Sequence, residues 1–222
     1  MNILVTGAGG QLGQELQEAV QTRSSQHTYY FADRASLDLT DASALEAYLE
    51  AHAIQLIINA AAYTAVDRAE DEPEQADLVN HQAVATLARL AKRREAFLLH
   101  VSTDYVFSGD AHTPYTEEAP TAPLGVYGRS KRLGEEAILA SGVRHLILRT
   151  SWLYSAYGAN FVKTMCHLQS ERQELRVVFD QVGSPTWAGD LQASSMSSPS
   201  GEHWSSRGST TIATRGSAPG TT

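Results

Sequence analysis

Two short stretches carry residues that could do chemistry together. S-T-D-Y-V-F at 102–107 follows an apolar run, and Y-G-R-S-K at 127–131 sets Tyr127 four residues before Lys131. On a helix that spacing puts the two side chains on one face. A lysine ammonium near a phenol favours the phenolate by Coulomb attraction. A tyrosine tuned in this way exchanges a proton with a carbonyl or alcohol oxygen, and a hydroxyl such as Thr103 orients the same oxygen. An isolated Tyr-x-x-x-Lys pair is usually surface decoration, so the weight rests on what surrounds it.

The first neighbour is G-A-G-G-Q-L-G at 7–13, with Gly7, Gly10 and Gly13 spaced three apart between an apolar stretch and a helical pattern. A turn of this kind lets backbone approach a pyrophosphate, and the following helix offers free N–H groups to the anion. Gln11 and Leu12 complete the candidate cofactor loop. Asp33 and Arg34 end the second apolar stretch. A carboxylate there suits a ribose and a guanidinium suits a 2′-phosphate, so the pair leaves NADH and NADPH both open. A surface turn is the plainer reading of the same two residues. Asp38 and Leu39 are expected under the adenine. Ala60, Ala61 and Ala62 are small enough to let a flat cofactor lie close.

The elements that must position these residues alternate. Strand patterns at 2–6, 27–32, 55–59, 97–101 and 146–149 are interleaved with helical patterns after Thr40–Asp41, over 74–93 and over 127–140. That rhythm predicts an α/β fold, a doubly wound parallel sheet of Rossmann-like type. Residues 1–150 form the expected nucleotide-binding domain. Residues 151–191 start a smaller, incomplete C-terminal substrate-binding lobe, partly interleaved with it. A further strand is expected at 175–179, and 108–124 reads as a functional loop. Arg149 and Lys163 are alternative contacts for an anionic ligand, with structure favoured for Lys163. His100 reads as a satisfied core histidine.

Composition narrows the classes. The 222 residues carry 17 basic and 25 acidic groups, a net charge of -8, which argues against nucleic acid as partner. Cys166 is the one cysteine, so no internal disulfide framework is expected. The start M-N-I-L-V-T-G lacks a signal-peptide pattern and no apolar run is long enough to span a membrane, so a cytoplasmic location is expected.

The stretches M-N-I-L-V-T-G-A-G-G-Q-L-G, N-A-A-A-Y-T-A-V-D-R-A-E, V-S-T-D-Y-V-F-S-G, Y-G-R-S-K-R-L-G-E, L-R-T-S-W-L-Y and D-Q-V-G-S-P-T-W-A-G-D-L together span nearly all of 1–191. This set resembles the extended short-chain dehydrogenase/reductases, and within them the dTDP-4-dehydrorhamnose reductase family. The resemblance implies NADPH- or NADH-dependent reduction of the C4 ketone of dTDP-4-dehydro-beta-L-rhamnose, with Thr103, Tyr127 and Lys131 as the catalytic set and Tyr127 as proton donor. It places Val66, Asp67, Asp104, Tyr105, Trp152 and Asn160 near the sugar nucleotide. Some members are homodimers with Mg2+ between subunits, and Glu15 matches one acidic ligand there. Two alternatives stand beside this reading. Related Tyr-x-x-x-Lys proteins epimerise or dehydrate nucleotide sugars, although Thr103-Asp104-Tyr105 lacks the glutamate that dehydratases usually carry. Others are non-catalytic regulatory subunits.

The pattern changes after Leu191. Residues 192–222 have almost no apolar periodicity, so composition predicts a disordered tail. The family has instead an apolar helix and then a motif like G-x-Y-H-x-S-N-E-G-x-x-S-W-Y-D. Reading the codons that G-S-T-T-I-A-T-R-G-S-A-P-G-T-T at 208–222 permits from their third bases can spell G-I-Y-H-Y-S-N-E-G-V-S-S-W-Y-D. The expectation is a frameshifted tail, with the shift beginning somewhere after Leu191.

Overall fold

The computed structural model describes residues 1–22, 25–111, 113–177, 183–197 and 210–213. Five parallel strands form the centre: β1 (Asn2–Thr6), β2 (Thr28–Ala32), β3 (Leu56–Asn59), β4 (Phe97–Thr103) and β5 (His145–Thr150). Their spatial order is β2-β1-β3-β4-β5. The chain therefore reverses direction across the sheet between β1 and β3, and a crevice opens there at the carboxyl ends of the strands.

Helices cover both faces, as fully buried parallel strands require. On one face α2 (Ala42–Ala51), α5 (Ala83–Arg93) and α6 (Val126–Ser141) pack on the sheet. Leu45, Leu87, Leu90 and Ile138 meet Leu4, Ile57 and Leu98 there. On the other face α1 (Gln11–Thr22) and α8 (Ala188–Ser197) do the same. Leu12, Leu16 and Leu191 meet Val5, Ile58 and Leu148. Asp41 caps α2, its carboxylate accepting from the backbone N–H groups of Ser43 and Ala44. Among the described residues no helix is long and apolar enough to cross a membrane.

Four sequence expectations differ from the structure. The helical pattern at 74–93 is broken into α4 (Pro73–Asp77), a π-helical turn at Leu78–Gln82 and α5, preceded by the short α3 (Val66–Asp71). The π turn rotates Asn80 inward, where it is buried. A small sheet of β6 (Leu153–Tyr154) and β7 (Thr186–Trp187) has no strand pattern in the sequence, because two residues cannot show a period. The strand expected at 175–179 is absent at 175–177, and 178–179 lie outside the described residues. Finally, Leu191 lies inside α8, which continues to Ser197, and β8 (Thr210–Ala213) pairs with β5 in parallel. The segment between, 198–209, lies outside the described residues. Elements from beyond residue 150 thus pack on and extend the sheet formed by residues 2–150. The helix α7 (Phe161–Glu171) buries none of its residues.

Candidate active site

The crevice is a cavity of about 1050 Å³ at the carboxyl ends of β1, β3, β4 and β5. Its floor on one side is the glycine turn. Gly7 has φ +72°, and a Cβ there would lie 2.7 Å from the backbone of Ala60 and Ala61. At Gly13 a Cβ would lie 2.4 Å from the Gly7 carbonyl oxygen. Only glycine permits these approaches, which press the N-terminus of α1 against the strand ends. Gly10, Gln11, Leu12, Ala60, Ala61 and Ala62 line the cavity, with Asp33, Arg34, Asp38 and Leu39 along its far rim. The rim residues also shape their own turns. One Asp33 oxygen accepts from the N–H and hydroxyl of Ser36 at 2.9 and 2.8 Å. One Asp38 oxygen accepts from the N–H and hydroxyl of Thr40 at 2.9 and 2.7 Å. These bonds hold both carboxyls below the ordinary carboxylate range.

Thr103, Tyr127 and Lys131 line the other end. Thr103 closes β4, and its hydroxyl donates to Asp104 at 3.1 Å and accepts from the Tyr105 N–H at 3.2 Å. Tyr127 sits in the first turn of α6, packed edge-on against the Tyr105 ring at 5.6 Å. Burial pushes its phenol up to about 12, against an opposing hydrogen bond with Thr103. The expected pull of Lys131 on the phenol is not what this geometry gives. The lysine is 1% exposed. Its Nζ donates to the Val101 carbonyl at 2.7 Å and contacts His100 Nε2 at 3.3 Å. Burial holds the ammonium down at about 8, partly offset by Glu135.

Several candidate contacts make structural bonds. Arg149 makes a two-pronged pair with Glu135, Nε to Oε1 at 2.9 Å and Nη2 to Oε2 at 2.7 Å, so it braces β5 against α6. The Lys163 ammonium donates to the carbonyls of Ala156 and Gly158. Asn160 lines the cavity. Its carbonyl caps α7 by accepting from the Lys163 N–H at 3.0 Å, and its amide donates to Gln11 Oε1 at 3.0 Å and to the Ser155 carbonyl at 2.9 Å. These bonds make it a brace between the glycine turn and the following lobe. Val66, Asp104, Tyr105 and Trp152 line the cavity, whereas Asp67 is exposed on α3 outside the lining. The Trp152 indole packs edge-on against Phe161 at 4.9 Å. Glu15 accepts a 2.6 Å hydrogen bond from Ser155, and among the described residues no cluster of His, Cys, Asp and Glu could hold a metal ion.

Two features escaped the sequence reading. Asn80, turned inward by the π segment, accepts from the Tyr63 N–H at 2.9 Å and donates to the Tyr63 carbonyl and the Ser130 hydroxyl, both at 3.0 Å. It locks the loop after β3 to α6. The hydroxyls of Ser102 and Thr150 are buried without a hydrogen-bond partner among the described residues, and both residues line the cavity. Orphaned hydroxyls beside a glycine cradle suit a polar, flat ligand with an anionic middle.

This geometry has counterparts among known proteins. The family model described as the RmlD substrate binding domain matches residues 1–207. The chain is 45% identical over 192 residues to a probable dTDP-4,6-dihydroxy-2-methyloxan-3-one 4-ketoreductase from Streptomyces antibioticus, covering 86% of this chain and 64% of that protein. It is 45% identical over 188 residues to the dTDP-4-dehydrorhamnose reductase of Burkholderia thailandensis, covering 85% and 62%. A solved structure of dTDP-4-dehydrorhamnose reductase from Bacillus anthracis, in complex with NADP, superposes with a TM-score of 0.87 at 39% identity, over 95% of this chain and 73% of that one. The chain therefore spans 62–64% of the length of these two curated relatives, and it belongs to the family of the RmlD substrate binding domain.

Proposed function

We propose that this chain is an NAD(P)H-dependent ketoreductase of a dTDP-4-keto-6-deoxy sugar, with dTDP-4-dehydro-beta-L-rhamnose reduced to dTDP-beta-L-rhamnose as its reaction. The observation that carries this reading is a single cavity joining a glycine cradle to Thr103, Tyr127 and Lys131. The B. anthracis relative binds NADP, and both curated relatives are 4-ketosugar reductases by name.

The residues present fit a nicotinamide dinucleotide. The close backbone packing at Gly7 and Gly13 sets the start of α1 at the cavity, and Gly9, where a Cβ would meet nothing within 4 Å, leaves room there for a pyrophosphate. Ser102 and Thr150 offer hydroxyls that have no partner among the described residues. When bound, the reduced cofactor supplies the hydride. The rest of the chemistry falls to the side chains. Tyr127, held protonated by burial, keeps its proton until negative charge develops on the substrate carbonyl oxygen, and then gives it up. Thr103 aligns that oxygen with the phenol. Asp104, its own carboxyl raised by burial, faces the same end of the cavity without the glutamate that would pair with it for dehydration.

Titration of the purified chain with NADPH and with NADH tests the first half, with saturable binding of at least one expected. The keto sugar is then added and net cofactor oxidation followed. Oxidation matched to alcohol product supports reduction. Sugar conversion without net oxidation replaces it with epimerisation, and no binding of either cofactor removes the nucleotide reading. Sedimentation of the same sample measures the homodimer implied by family membership.

A further inference from the structure

A chain of buried polar groups runs beneath the cavity, across three strands of the sheet and onto α6. The Thr6 hydroxyl on β1 and Asn59 Oδ1 on β3 are 2.7 Å apart. Asn59 Nδ2 and His100 Nδ1 on β4 are 2.9 Å apart, and His100 Nε2 and Lys131 Nζ on α6 are 3.3 Å apart. All four residues are buried, with His100 at 0% exposure and Lys131 at 1%.

The hydrogens on this chain follow from one fixed donor. The backbone N–H of Ala61 points at Asn59 Oδ1 at 3.3 Å. A backbone N–H can only donate, so this side of the Asn59 amide is its oxygen, and the side facing His100 is its NH2. His100 Nδ1 must then accept. Full burial keeps the imidazole neutral, so its one hydrogen lies on Nε2. That N–H points at Lys131. An ammonium has three hydrogens and no lone pair, and would set N–H against N–H. An amine fits all its neighbours. Its lone pair accepts from His100, one hydrogen goes to the Val101 carbonyl at 2.7 Å, and the other is left for the cavity.

We propose that His100 is a positioning residue for Lys131: its tautomer, locked by Asn59, presents an N–H to the lysine nitrogen and favours the amine over the ammonium in the ligand-free cavity. When a ligand's hydroxyl groups give the nitrogen new partners, the lysine takes a proton from water and becomes positive beside Tyr127. Burial acts in the same direction as His100 on the empty site. The remaining charged groups do not override it. Glu135, one helical turn further along α6, favours the ammonium but is already paired with Arg149 and Arg132. Asp104 at the end of β4 acts on Tyr127 and Tyr105. Tyr127 itself is neutral, its phenol held up at about 12.

Only the proton uptake on ligand binding rests on the nucleotide reading above; the tautomer does not. Long-range proton–nitrogen correlation NMR on the full ligand-free chain reads the tautomer directly. The expected result is Nε2–H with a bare Nδ1, unchanged over about pH 6 to 9, a range whose lower end is where ordinary histidines titrate. An Nδ1–H tautomer or an imidazolium overturns the proposal. Asn59→Asp should reverse the lock: a carboxylate facing Nδ1 draws the hydrogen there, Nε2 becomes an acceptor, and the Lys131 titration moves up by about one pH unit or more. Retention of Nε2–H in a folded Asn59→Asp chain also overturns it. Calorimetry of NADPH binding near pH 8 in buffers of different ionisation enthalpy supplies the last arm. Proton uptake is expected, and binding without uptake overturns the switch. Absence of binding would count against the nucleotide reading alone, with the NMR result still deciding the tautomer.

Discussion

Tyr127 and Lys131 show how one burial acts oppositely on an acid and a base. Withdrawal from water favours the neutral form of each, so the phenol rises and the ammonium falls. For a reductase this is useful at the tyrosine, because an acid that stays protonated is ready when charge develops. Tyr127→Phe should leave NADPH affinity within about twofold while lowering turnover by roughly 10²–10⁴, the usual share of a general acid. Equal loss of binding and turnover would mean that the phenol holds the cofactor instead. The motif pair Tyr127 and Lys131 was legible because a four-residue helical spacing is local. Where Lys131 points was not legible, since its partners His100 and Val101 come from a strand some thirty positions earlier. His100 also sets a pH dependence. Its folded-state pKa lies well below 6.5, chiefly because burial disfavours the imidazolium. As pH falls below about 6.5, the unfolded chain binds a proton that the folded chain refuses, so stability falls. In His100→Leu this part of the acid slope should vanish from denaturation midpoints recorded across that range. An unchanged slope would assign the acid sensitivity elsewhere.

Between elements, the glycine turn and the buried pair Glu135–Arg149 do complementary jobs. The turn presses α1 onto β1 and β3, and the pair fixes α6 to β5 at the level of the Phe107 ring, over which Arg149 sits at 5.0 Å. Phe107 in turn stacks on Tyr115 at 4.2 Å, so one guanidinium anchors the loop expected at 108–124. Glu135→Gln keeps the shape but removes the carboxylate from a buried ion pair, and removing one partner of such a pair typically destabilises by about 3–5 kcal/mol. The check is a denaturation midpoint together with the double variant Glu135→Leu/Arg149→Met. The double change should recover much of the loss, because it removes the buried guanidinium as well. Equal destabilisation by both would mean that shape, not charge, holds the joint. The strands and most helices were legible because apolar runs four to six long sit between glycine and polar turns. The π turn at Leu78–Gln82 was not, since one inserted residue in a helical pattern leaves the apolar spacing nearly unchanged. Yet it is what delivers Asn80 to Tyr63 and Ser130.

Across the whole molecule, the stretch after Leu191 is where residue type and position disagree. In α8, residues 188, 191, 192 and 195 form one stripe at helical spacing, and all four are buried. The first two are Ala188 and Leu191, which suit a core. The next two are Gln192 and Ser195, which do not. Among the described residues their polar atoms have local partners: the Ser195 hydroxyl returns to the Leu191 carbonyl at 2.7 Å, and the Gln192 amide meets the Met196 sulfur at 2.7 Å. An apolar side chain at 192 would gain burial without stranding an amide, so Gln192→Leu should stabilise by about 1 kcal/mol. The same disagreement bears on the shifted codon reading of 208–222, which spells a family-like Y-H-Y-S-N-E-G segment. We propose that the coding frame changes after Leu191, within or near α8. The mismatch begins at the first buried position past Leu191, and Thr210–Ala213, the strand beside β5, falls inside the segment that the alternate frame would rewrite. Nucleotide sequencing across codons 188–222 and beyond decides the matter. The expected result is an alternate frame that puts apolar residues on the buried stripe of α8, encodes the Y-H-Y-S-N-E-G-like strand, and continues as globular sequence. A chain expressed in that frame should melt higher and turn over the keto sugar faster by orders of magnitude, since placement of substrate is what turns Thr103 and Tyr127 into rate. If no such frame exists, Gln192 and Ser195 are native to α8, and the tail is a divergent terminus of this chain.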